Sequence, residues 1–174
     1  ASQAQAWVSM SAKRSTSRSG GLQRQLLDLE VGADVQTSIA GYQLDVTYDP
    51  RLLLVVGFEN GNLLGEGSFS LDPQMTPGRI GNIGGTQLGA SSGSRLGQSS
   101  LAKASFRLKG DINLALASIG VGNLVVADER ALPVPFELNP SITVDLSSVV
   151  AAEFGLGQNY PNPFNPETWI PYQL

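Results

Sequence analysis

The side chains of this chain that could do chemistry are carboxylates, hydroxyls and a few cations. Its 174 residues contain no histidine and no cysteine. The usual general base of hydrolases and the thiolate nucleophile are therefore missing. Serine is abundant, but runs such as Ser91–Ser100 have no lysine-type basic partner in a recognisable arrangement. Asp45 and Asp49 lie four residues apart in QLDVTYDP. They would share one side only if the strand ran straight through both. A paired-carboxylate hydrolase site is thus weakly supported, and the simpler reading places Asp45 on a solvated face and Asp49 capping the turn before Pro50. For calcium, Asp128 and Glu129 with Asp111 are the clustered candidates. None sits in a D-x-D-x-D-G loop, and turn roles suit them better. No catalysis and no resident metal are expected.

The elements that carry these groups are strands. In Ala40–Leu64, Tyr42, Leu44, Val46 and Tyr48 alternate with Gln43, Asp45 and Thr47, the period of a strand with one buried and one solvated face. Asp49-Pro50 ends it, because proline donates no ladder hydrogen bond. An apolar run from Leu52 to Val56 follows, closed by a turn at Gly61. Leu27, Leu29 and Val31 alternate with Asp28 and Glu30; Ala102, Ala104, Phe106 and Leu108 alternate with Lys103, Ser105 and Arg107. Further strands are expected at Trp7–Met10, Arg79–Leu88, Leu114–Val121, Leu124–Ala127, Leu132–Leu138 and Ser141–Leu146. The polar run KRSTSRSGG reads as a turn, Gly65–Gly78 as irregular with Phe69 and Leu71 anchored on the core, and Gly89–Ser100 as a loop.

Composition agrees with this reading. Charged residues make up 15%, with 20 glycines and 10 prolines, a profile of many tight turns and not of a helical bundle. One domain of this length buries roughly 70% of its unfolded surface. The net charge of −4 and the dispersed basic residues disfavour a nucleic-acid face; the cluster Lys13, Arg14, Arg18 and Arg24 has no interleaved aromatics. No run of 18 apolar residues is long enough to span a bilayer as a helix, and the first residues, ASQAQA, lack the pattern of a signal peptide.

Three segments in order resemble cohesin domains: GYQLDVTYDP with the apolar run after it, GQSSLAKASFRLKG, and NLVVADERALPVPFELNPSITV. Cohesins are bacterial modules that bind dockerin domains. The resemblance implies an all-β, nine-stranded jelly-roll β-sandwich over residues 1–149, related to family 3 carbohydrate-binding modules, that binds a partner and catalyses nothing. It implies a partner face built from strands 3, 5, 6 and 8. On strand 3 this selects Gln43, Asp45 and Thr47; on the sixth strand Lys103, Ser105 and Arg107; from the connecting loop Arg95 and Leu96, an apolar group with polar neighbours. Calcium is expected on the dockerin, not here. Sugar binding is the alternative, but Trp7 and Trp169 lie far apart in sequence and Tyr42 and Tyr48 face inward, so no aromatic strip is expected. A structural stalk is a third reading.

Residues 150–174 differ. The run LGQNYPNPFNPET resembles the start of a type IX secretion C-terminal sorting domain. That resemblance implies a secreted or cell-surface parent protein, and suggests docking of Phe154, Tyr160, Phe164 or Trp169 on the sandwich or on a second copy.

Overall fold

The computed structural model describes residues 3–88, 94–109, 116–146, 160–165 and 167–169. All regular structure within them is β. The first sheet has five strands: β1 (Ala6–Ser19), β2 (Leu22–Val35), β4 (Leu53–Asn60), β8 (Gly97–Leu108) and β10 (Phe136–Leu138), in the order β10-β1-β2-β8-β4. The second has six: β3 (Gly41–Thr47), β5 (Ser68–Ser70), β6 (Gln74–Thr76), β7 (Arg79–Gln87), β9 (Leu116–Ala127) and β11 (Ser141–Asp145). Its order is β11-β9-β3-β7-β5, with β6 also on β7. Further along, β12 (Tyr160–Asn165) pairs antiparallel with β13 (Glu167–Trp169).

The two sheets face each other across one core. Leu27, Leu29 and Val31 of β2 and Phe106 of β8 are buried from one side; Leu44, Ile80, Ile83 and Ile119 are buried from the other. These are the apolar members of the alternating runs, so period-2 patterning places them. Tyr48 caps this core edge-on against Phe106, with ring centroids 4.9 Å apart. Tyr42 is buried and donates its hydroxyl to the Leu101 carbonyl at 2.6 Å. That burial pushes its pKa up to about 12.

Four expectations about elements are corrected. The all-β sandwich is present, but with more strands than nine. The additional pieces include β5 and β6 of three residues each, inside the run expected to be irregular, and three residues are too few to show a period. The segment KRSTSRSGG is strand, not turn, up to Ser19. Only Gly20 and Gly21, at φ 60° and 78°, make the two-residue hairpin. The polarity arises because β8 pairs β2 only from Leu26 onward, so the tip of the β1–β2 ribbon extends past the sheet and has no core to face. Phe69 is not a core anchor; it is 54% exposed, while Leu71 is half-buried. The expected loop Gly89–Ser100 is too long at its end, since Gly97–Ser100 are already strand and pair with β2. Residues 89–93, residues 110–115 and the boundary at 149–150 lie outside the described residues. So does the suggested docking of the tail aromatics.

Candidate partner-binding face

Asp45 organises the outer face of the second sheet. By strand period its side chain points out of the sandwich, as expected, yet it is only 3% exposed. The reason lies in its neighbours. On one side β9 places two residues, Asn123 and Leu124, against the single Leu44 of β3. On the other, β7 places Gly81 and Asn82 against Asp45 alone. Each extra residue makes a bulge, and Asn82 and Asn123 adopt the left-handed conformation at φ 59° and 50°. Asparagine tolerates that region better than most L-residues. Both bulges turn donors onto the carboxylate: the Asn82 backbone N–H at 3.0 Å to Oδ1 and Asn123 Nδ2 at 2.7 Å to Oδ2. Arg79 adds Nη2 at 2.6 Å and Nε at 3.3 Å.

Burial alone would push the Asp45 carboxyl up. The hydrogen bonds from Arg79, Asn123 and Asn82, with the Arg79 charge, outweigh burial and hold it below the ordinary carboxylate range. Asp45 therefore forms a pedestal under the face, held by Arg79, Asn82 and Asn123. The expectation that it is solvent-facing is corrected for that reason.

Around the pedestal the face is flat and low. Gln43 and Thr47 are exposed, as expected. Gln43 Nε2 reaches Asn82 Oδ1 at 3.4 Å, and Asn82 Nδ2 donates to the Asp72 carbonyl at 3.2 Å. Val125, directly across from Gln43 on β9, is 58% exposed. Phe69, across from Thr86, stands at the β5 edge. The Arg79 side chain is itself 53% exposed, so its cation is presented outward while tethered below. The surface thus offers two apolar projections around a fixed polar centre.

Lys103, Ser105 and Arg107 do not belong to this face. They lie on β8, in the other sheet, whose outer side points the opposite way. Ser105 Oγ donates to Asp28 Oδ1 at 2.8 Å, and Ser15 Oγ donates to Asp28 Oδ2 at 2.8 Å. The expected single face of Gln43, Asp45, Thr47, Lys103, Ser105 and Arg107 is therefore divided between two. The error came from counting strands: short β5 and β6 shift the order, so the sheet partners of β3 are β7 and β9. Arg95 and Leu96 are exposed, and lie next to Ser94, whose hydroxyl accepts the Ile39 N–H at 2.6 Å. The Arg95 N–H is bound to the Leu63 carbonyl at 3.1 Å, on the β4–β5 connection. Among the described residues, no hydrogen bond or ion pair joins them to Gln43 or Thr47.

Arg79, Asn82, Asn123, Val125 and Phe69 were missed by sequence reading. One signal was present: the dipeptide Gly-Asn occurs inside two strand-like runs, at 81–82 and 122–123. Glycine and asparagine within a strand mark a bulge.

The calcium candidates take turn roles. Asp128 Oδ1 accepts the N–H groups of Arg130 at 2.8 Å and Leu132 at 2.9 Å, and Glu129 accepts the Ser38 hydroxyl at 2.9 Å. Asp111 is outside the described residues, among which no group of three or more acidic side chains is placed to hold a metal. Asp49 caps its turn as expected, taking the Arg51 N–H at 2.9 Å.

This arrangement of two sheets is the cohesin fold. No family model matches the chain, and no curated protein does. Among solved structures it is similar to a type II cohesin domain from the cellulosome of Acetivibrio cellulolyticus, with a TM-score of 0.60 at 12% identity, over 81% of this chain and 95% of that one. It is similar to a type I cohesin–dockerin complex from Clostridium thermocellum, with a TM-score of 0.58 at 13% identity, over 83% and 96%. A non-cellulosomal cohesin from the hyperthermophilic archaeon Archaeoglobus fulgidus gives 0.54 at 19% identity, over 68% and 78%.

Proposed function

We propose that the chain is a non-catalytic interaction module that binds a dockerin-bearing protein through the outer face of the β11-β9-β3-β7-β5 sheet. The observation that carries this reading is the Asp45 pedestal. Two bulges and an ion pair fix a flat polar centre on a sheet face, flanked by exposed Val125 and Phe69. Fixed polar groups around apolar projections are the composition of an energetic centre in a protein interface. The cohesin fold supports the partner class, since solved relatives of that fold were crystallised with dockerins. Binding residues in this reading are Gln43, Thr47, Arg79 and Val125, with Phe69 at the rim. Calcium belongs to the partner. The LGQNYPNPFNPET run supports an exported parent protein that displays the module outside the cell.

The test is calorimetric titration of the full chain with a panel of type I and type II dockerins, in calcium and then with chelator. One-to-one binding lost on chelation is expected. Val125→Arg should weaken it by about tenfold or more, whereas Lys103→Ala and Arg107→Ala, on the opposite sheet, should leave it unchanged. The reverse pattern would move the partner to the other sheet. No heat with any dockerin would leave a structural stalk as the role.

A further inference from the structure

The outer face of the first sheet carries a second kind of site. Across it runs one transverse row of paired residues: Glu137 of β10, Trp7 of β1, Asp34 of β2 and Gln98 of β8. Neighbours in such a row have Cβ atoms about 5 Å apart. Trp7 is 41% exposed in the middle of a sheet, not at a loop tip. A hollow lies on each side of it. One of about 480 Å³ is lined by Trp7, Gly32, Asp34, Asn62, Gln98 and Ser99, among others; the other, of about 460 Å³, runs over Glu137 and Asn139. Both are open troughs on the sheet surface rather than enclosed cavities.

The chemistry of the lining is specific. The next row pairs Ser9 with Gly32 and Gly32 with Ser100, so the residue diagonal to Trp7 has no side chain and the indole is left open beside a low floor. Planar polar groups line the trough on one side of it. They are the Asp34 carboxylate on the next strand, the Gln98 amide one strand further and the Asn62 amide beyond β8. Asp34 Oδ1 takes Gln36 Nε2 at 3.3 Å. The Ser100 N–H donates to Asn62 Oδ1 at 2.9 Å, which fixes that amide at the edge of the trough. The hollow's charges, Glu30 and Asp34 against Lys103, sum to a small negative value that disfavours anionic ligands.

We infer that this groove binds a neutral oligosaccharide, one pyranose ring stacked on Trp7 and bound by Asp34, with the hydroxyls of the following rings bound by Gln98 and Asn62. A sugar ring has an apolar C–H face that fits an exposed indole and a rim of hydroxyls that fits planar acceptors and amides. A protein partner would bury more apolar surface than a lone tryptophan in a polar trough provides. The inference is independent of dockerin binding, which uses the opposite sheet.

The test is titration of the full chain with neutral hexose oligomers of gluco, manno and galacto type, alongside a uronic-acid oligomer, followed by heat and by tryptophan fluorescence. Binding of a neutral oligomer is expected, with a fluorescence change that survives Trp169→Phe. Trp7→Ala should weaken it by about tenfold or more, and Gln98→Ala and Asp34→Ala should each weaken it. Those two variants keep the test open if Trp7→Ala unfolds, which its thermal midpoint would reveal. No binding of any neutral oligomer at about 10 mM, binding of the uronic oligomer alone, or affinity unchanged in all three variants would overturn the inference.

Discussion

At the scale of single residues, Asp45 shows how far a strand pattern can be read. Alternation correctly gives its direction, outward, but not its surroundings. Those depend on bulges in β7 and β9 whose asparagines lie 37 and 78 residues away in sequence, and no local pattern near Asp45 announces them. Its role is stability. Replacing it by alanine removes a carboxylate that accepts from Arg79, Asn82 and Asn123 and leaves the Asn82 N–H without its acceptor. The expected cost is about 1–3 kcal/mol, seen as a lower denaturation midpoint at pH 7. Arg79 is half exposed, so solvent screening keeps its share small. The pH dependence has a definite sign. The carboxyl titrates lower in the fold than in the unfolded chain, so its contribution is present above the unfolded value of about 3.9 and is lost as pH falls through the folded one. Asp45→Asn should therefore flatten the acid limb of the stability profile, and an acid limb identical to wild type would show that the pedestal contributes nothing.

At the scale of elements, period-2 runs located β2, β3 and β8 because each has one face on the core. Where that condition fails, the signal fails. The outer ends of β1 and β2 are polar on both sides, since no sheet covers the ribbon tip, and β5 and β6 are too short to alternate. The apolar runs 114–121 and 124–127 looked like two strands because the Gly122-Asn123 bulge interrupts a single one. The pairing of β3 with β7 depends on one backbone approach. Gly84 sits at φ 147°, and a Cβ there would overlap the Tyr42 carbonyl and crowd the Gln43 Cα. Gly84→Ala is expected to part the two strands under the partner face and cost about 2–4 kcal/mol in a denaturant titration. Gly20→Ala, in the open hairpin tip where an added Cβ meets nothing, should cost only about 1–2 kcal/mol of backbone strain. Equal effects at the two sites would mean that the β3–β7 approach can relax.

At the scale of the whole molecule, the sandwich turns one sequence into two outer surfaces of different chemistry. The core between them is made of side chains packed from both sheets, so neither surface can be reached through the other. The second sheet offers an ion-paired polar centre with Val125 and Phe69; the first offers Trp7 above a polar trough. Sequence reading merged them, because alternation tells which residues point outward but not from which sheet, and sheet membership is fixed by long-range pairing. The separation makes a prediction that neither surface makes alone. A dockerin on the β3 face and an oligosaccharide at Trp7 should bind together, each with the affinity it shows by itself, since sites this far apart with no shared partners behave additively. Titrating the dockerin complex with sugar, and the sugar complex with dockerin, should give dissociation constants equal to those of the free chain within about twofold. Val125→Arg should remove the first binding event and spare the second, and Trp7→Ala should do the opposite. Mutual exclusion of the two ligands would place both on one surface and would require the division of faces argued from the strand order to be abandoned.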